Sequence, residues 1–74
     1  YQEAIEAYSM YVSIPDVKPE LLAEGFNNRG IALRATKRPE MAVKDFDKAI
    51  SLKPRDPSFF VNRANANNDL GKIK

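Results

Sequence analysis

Four segments of the chain carry apolar side chains at three- and four-residue intervals, the period of a helix with one buried face. In the first, Tyr1 to about Ser13, these are Ala4, Ile5, Tyr8, Tyr11 and Val12, with Glu3 and Glu6 on the opposite side. Pro15 is expected to end this helix and Asp16-Val17-Lys18 to connect it to the next. Pro19 suits the first position of a second helix, predicted to about Thr36, because proline has no N–H to leave unpaired there. Its apolar positions are Leu22, Phe26, Gly30 and Leu33, with Ile31 less regular. Gly30 reads as a place where another helix comes close.

After a Lys37-Arg38 turn, Pro39-Glu40 opens a third helix to about Leu52, with Ala42, Val43, Phe46, Ala49 and Ile50 on one face. Lys53-Pro54-Arg55-Asp56 stops it. Pro57 begins a fourth helix whose apolar residues are Phe59, Phe60, Val61, Ala64 and Leu70, with Gly71 expected as a left-handed cap after it. No segment alternates as a strand does. The prediction is all-α, four antiparallel helices with short connections.

The pattern repeats internally. A shift of 34 residues places Phe26 on Phe60, Asn28 on Asn62, Arg29 on Arg63, Gly30 on Ala64 and Ala32 on Ala66. A shift of 38 places Ala4 on Ala42, Ile5 on Val43, Tyr8 on Phe46 and Val12 on Ile50, so an insertion of four residues is expected around Ile14 to Leu22. Periods of this size indicate stacked helical hairpins, each too small to bury its apolar face alone.

Within Ala23 to Asp56, an aromatic, small, small, aromatic, small and proline series falls on Phe26, Gly30, Ala42, Phe46, Ala49 and Pro54. This series resembles the tetratricopeptide repeat family. The resemblance implies a superhelix in which residues 1–18 are the second helix of a preceding repeat plus linker. Residues 19–56 would be one complete repeat with an extended first helix, and 57–74 the first helix of a following repeat. Lys37 and Pro39 stand where the family commonly has Gly and Tyr, so a less tightly packed turn is expected there.

Composition narrows the chemistry. Seventy-four residues allow one compact unit, and 43% hydrophobic with 30% charged residues is an ordinary globular balance. No apolar run approaches the ~18 residues of a membrane span, so a soluble chain is expected. Histidine and cysteine are absent, which removes thiolate and imidazole metal ligands, cysteine nucleophiles and the usual general base. Neither an enzyme nor a cofactor is expected. The chain opens on Tyr1 inside an apparent helix, and it reads as a piece of a longer protein. The net charge of +2 conceals an asymmetry: residues 1–24 hold five acids against Lys18 alone, whereas the rest hold eleven bases against five acids.

By the resemblance, the first helix of each hairpin lines a concave groove that takes a peptide or helix from a protein partner. Carried over, the groove residues are Asn27, Asn28, Ile31 and Arg34, then Ser58, Val61, Asn62, Asn65 and Asn68. Asparagine is a mediocre helix former, yet Asn62, Asn65, Asn67 and Asn68 crowd one helix. Each amide offers two donors and an acceptor, suited to a peptide backbone, and Arg34 is expected to select an acidic side chain. Some family members clamp the carboxylate tail of heat-shock chaperones with Lys, Asn, Asn, Lys and Arg. Placing the whole repeat first puts Asn27 and Ile31 at the Lys and Asn positions, and placing it second puts Ser58 and Asn62 at the Lys and Arg positions. Neither register completes that clamp.

Arg29 and Arg63 are expected to pair with Asp45 or Asp47 on the intervening helix. A basic edge of Arg34, Lys37, Arg38, Lys53 and Arg55 would be the basis of any RNA binding, although charges near helix ends are usually only solvated, which argues against nucleic acid. Phe60, Ala64 and Leu70 on the fourth helix are expected to face water. The acidic first helix of another copy could cover them, an end-to-end self-assembly. Asn28-Arg29-Gly30 and the run Asp45 to Ile50 resemble bacterial and plastid versions of the family, which favours a cytoplasmic or plastid-like interior.

Overall fold

The computed structural model describes residues 2–13 and 18–73. Its helices are α1 (Gln2–Val12), α2 (Pro19–Ala35), α3 (Pro39–Leu52) and α4 (Pro57–Ile73). The all-α expectation holds, with no strand among the described residues. The stop expected at Pro15 and the Asp16-Val17 connection lie outside them, as does the side chain of Tyr11.

Three of the four helices begin at a proline, whose preset backbone angle and missing N–H suit a first turn. For α4 the start is reinforced by Asp56: its Oδ1 accepts the Ser58 backbone N–H at 3.0 Å and the Ser58 hydroxyl at 2.6 Å. The α2–α3 turn is tighter than expected. Lys37 adopts φ 62°, its N–H bonds the Arg34 carbonyl at 3.1 Å, and the Arg38 N–H bonds the Leu33 carbonyl at 2.8 Å. This double closure caps α2 through a left-handed residue that is usually glycine. Gly71 does the opposite of what was expected of it. It has no positive φ, and α4 runs through it to Ile73, since glycine weakens a helix without removing its hydrogen bonds.

α2 packs against α1 on one side and α3 on the other, α4 packs on α3, and α2 and α4 also touch. The array measures 38 × 28 × 13 Å, and in so thin a slab burial is confined to the seams between helices. One core cluster joins Ile5, Ala32, Leu33, Ala42, Phe46 and Ala66; the other joins Ala23, Ala49 and Phe59. Phe46 lies over Gly30, where a Cβ would meet its Cε1 at 2.6 Å. Of the adjacent phenylalanines, Phe59 is fully buried while Phe60 is 41% exposed. Ala64 is exposed and Leu70 half-buried.

Candidate functional site

Two polar bridges join α2 to α4. Asn62 donates its Nδ2 to Asn27 Oδ1 at 2.9 Å, and Arg34 donates through Nε and Nη2 to the carboxylate of Asp69. Both bridges link residues 35 apart, and Asn27 and Arg34 are separated by two helical turns. The two helices therefore run parallel and in constant register. Between the bridges Ala66 is fully buried, so this seam is closed.

That register decides what each candidate groove residue can do. Asn27 is only 7% exposed, and its carbonyl is occupied by Asn62, so it forms part of the seam. Arg34 is half turned to solvent, but its charge is answered by Asp69. Asn28 and Asn62 are half-buried, whereas Ser58, Asn65 and Asn68 are exposed, as are the apolar Ile31 and Val61. Asn28 and Ile31 on α2, and Ser58, Val61, Asn65 and Asn68 on α4, follow three- and four-residue spacings, and each set forms one stripe along its helix. Asn28 also lines a notch of 330 Å³ with Ala7, Tyr8, Leu21, Glu24 and Gly25, at the α1–α2 seam.

The arginine pairing follows expectation. Arg29 holds Asp45 bidentately, Nε to Oδ2 at 2.7 Å and Nη2 to Oδ1 at 2.8 Å, while Nη1 reaches Ser9 Oγ at 3.3 Å. The hydrogen bonds the guanidinium donates to Asp45 raise its pKa above the ordinary value, against the opposing effect of burial. Arg63 donates to Asp47 Oδ1 at 2.8 Å. Each arginine also lies over the ring three residues before it, Phe26 at 5.4 Å and Phe60 at 5.3 Å, a favourable cation–π placement. The cation–π contact thus repeats with the 34-residue shift, whereas the ion pairs reach two different aspartates of α3, forward from Arg29 and backward from Arg63.

Three of the five cations of the basic edge have polar partners. Arg34 is paired with Asp69, Lys53 with Glu24 and Asp56, and Arg38 donates to Gln2 at 3.1 Å. Among the described residues no cluster of three metal-binding side chains occurs, and no helix is long and apolar enough to cross a membrane. The sequence reading missed three features: Asp69 as the partner of Arg34, Asn27 as a seam residue, and Asp56 as a helix cap. Only the cap had a local signal, the Asp-Pro-Ser run at a helix start.

Residues 23–56 match the family model described as tetratricopeptide repeat. The chain is similar to a DnaJ homolog subfamily C member 7 homolog of Schizosaccharomyces pombe, with 38% identity over 52 residues that cover 70% of this chain. The matched stretch is 11% of that relative. No solved structure matches the chain. Tetratricopeptide repeats mediate protein–protein interaction and are not catalytic modules. Residues 23–56 of this chain therefore carry a tetratricopeptide repeat.

Proposed function

We propose that the chain is a non-enzymatic scaffold that binds a peptide or helix of a protein partner in a concave groove lined by stripes of α2 and α4. In this reading residues 1–18 complete a preceding repeat, 19–56 form one full repeat, and 57–74 open the next. The observation that carries it is the pair of bridges, Asn27 to Asn62 and Arg34 to Asp69, which hold two helices parallel. With the seam closed, Asn28, Ile31, Ser58, Val61, Asn65 and Asn68 remain for a ligand. The similarity to a DnaJ homolog supports a protein partner and nothing narrower.

The test is to immobilise the chain and compare the proteins it retains with those retained by the triple variant Asn28→Ala, Asn65→Ala, Asn68→Ala. Three backbone hydrogen bonds at about 1 kcal/mol each correspond to a loss of roughly 100-fold in affinity. Loss of the retained proteins with an unchanged thermal melt is expected. Retention of the same proteins by the variant would refute the site.

A second reading, end-to-end assembly of copies, draws support from the exposed Phe60, Val61 and Ala64 on α4. Sedimentation over a wide concentration range separates it from the first: a monomer throughout removes it. RNA binding at a basic edge has less support, because three of its five cations already have polar partners.

A further inference from the structure

We infer that the chain pairs with a second copy of itself through the outer faces of α1 and α3, in a closed dimer held by opposite charge. None of the residues involved is a groove candidate. α1 and α3 each pack on α2, with no close backbone approach between them. They start at the same end of the molecule, where Arg38, just before α3, donates to Gln2, the first residue of α1, at 3.1 Å. The two helices are therefore level, and the 38-residue shift places Glu3 on Met41, Glu6 on Lys44 and Met10 on Lys48. All six are exposed. Their three- and four-residue spacing makes one outward stripe on each helix, acidic on α1 and basic on α3.

The neighbouring charges leave these signs in place. α1 contains no base, and the cations that reach it are Arg38 on Gln2 and Arg29 on Ser9, the latter held by Asp45. On α3, Asp47 is taken by Arg63, and Glu40 is outweighed by Lys37 and Arg38 in the exposed turn before it. Among the described residues, Glu3, Glu6, Lys44 and Lys48 form no ion pair of their own. Level stripes of opposite sign are self-complementary under a two-fold axis that runs between α1 and α3 along the helices. It sets α1 of one copy over α3 of the other, so Glu6 meets Lys44 twice. A two-fold across the helices would instead set acid on acid and base on base. Met10 is 73% and Met41 53% exposed. In the pair they cover the aliphatic stems of Lys48 and Glu3 of the second copy, which removes apolar surface from water. The 11 residues of α1 span about 16 Å, so the contact is at the small end of protein interfaces and the dimer is weak.

Sedimentation equilibrium of the native chain from about 20 μM to about 2 mM tests the pairing. It is run at about 50 mM and about 500 mM NaCl, a range over which exposed charge pairs are strongly screened. Expected is a monomer–dimer equilibrium that stops at two copies, with Kd about tenfold weaker at the higher salt. Glu6→Lys and Lys44→Glu change exposed residues and should keep the native melt. Each is expected to stay monomeric alone, to pair when the two are mixed, and to dimerise again when both changes are made in one chain. Growth beyond two copies would assign the association to the chain ends and overturn the closed pair. A native chain monomeric throughout, a dimer indifferent to either reversal, or a mixture that does not pair would overturn it as well.

Discussion

Phe46 occupies the space that a side chain at Gly30 would need: a Cβ there would stand 2.6 Å from Cε1 and 2.9 Å from Cζ of the ring. The ring is fully buried and has nowhere to move. Gly30→Ala gains about 1 kcal/mol of helix propensity, but overpacking a fixed core costs about 1–3 kcal/mol. The expected outcome is a lower melting temperature, partly restored when Phe46→Leu is added. Phe46→Ala alone should cost about 3–5 kcal/mol, enough to unfold a chain of this size. A raised melting temperature for Gly30→Ala would show that the helices are not this close.

Lys37 and Gly71 are each the residue that suits the other's conformation. Lys37 sits at φ 62°, where a side chain costs about 1–2 kcal/mol, whereas Gly71 lies inside a helix with nothing within 4 Å of its would-be Cβ. Lys37→Gly and Gly71→Ala should each stabilise the fold by about 1 kcal/mol. Urea titration checks both, and Lys37→Val is expected to move the midpoint the other way.

The two aspartates of α3 that pair with arginine differ in burial. Side-chain exposure is 23% for Arg29 and 7% for Asp45, against 36% for Arg63 and 52% for Asp47. Asp45→Ala leaves a largely buried guanidinium without its carboxylate, at about 2 kcal/mol or more. Asp47→Ala, in water and screened, should cost under about 1 kcal/mol. Equal losses in chemical denaturation would contradict the assigned burial.

Asn62 is expected to matter to stability. Asn62→Ala leaves the buried Asn27 carbonyl without its donor, a cost of about 1–3 kcal/mol. Asn65→Ala, on the exposed stripe, should be neutral or slightly stabilising. Thermal melts of the two single variants distinguish a seam residue from a surface one.

Asp56 predicts an acid response. Hydrogen bonds from the Ser58 hydroxyl and N–H hold its carboxyl below the ordinary 3.8. A depressed folded-state pKa gives stabilisation that is present above the unfolded value and lost as pH falls through the folded one. Asp56→Asn keeps an N-cap acceptor but removes the titration. Its melting temperature should therefore fall less than that of the native chain on acidification below about pH 4. Parallel acid profiles for the two proteins would remove Asp56 as the cause.

The helices and their repeat are legible in the chain itself. Prolines 19, 39 and 57 mark starts because first-turn geometry is set locally, and the small and aromatic positions from Phe26 to Pro54 follow the period at which one helix meets the next. The pairing of Arg29 and Arg63 with acids of α3 is also expected, because α3 lies between the two helices that carry them. What tertiary structure alone decided is which neighbour covers which side chain. Phe59 and Phe60 are identical in type and adjacent, and only packing on α3 buries one and leaves the other to Arg63. Arg34 meets Asp69 and Asn27 meets Asn62 across 35 residues, a separation no local pattern spans. The face open to a ligand consequently depends on how two helices register against each other, and that register is a property of the folded seam.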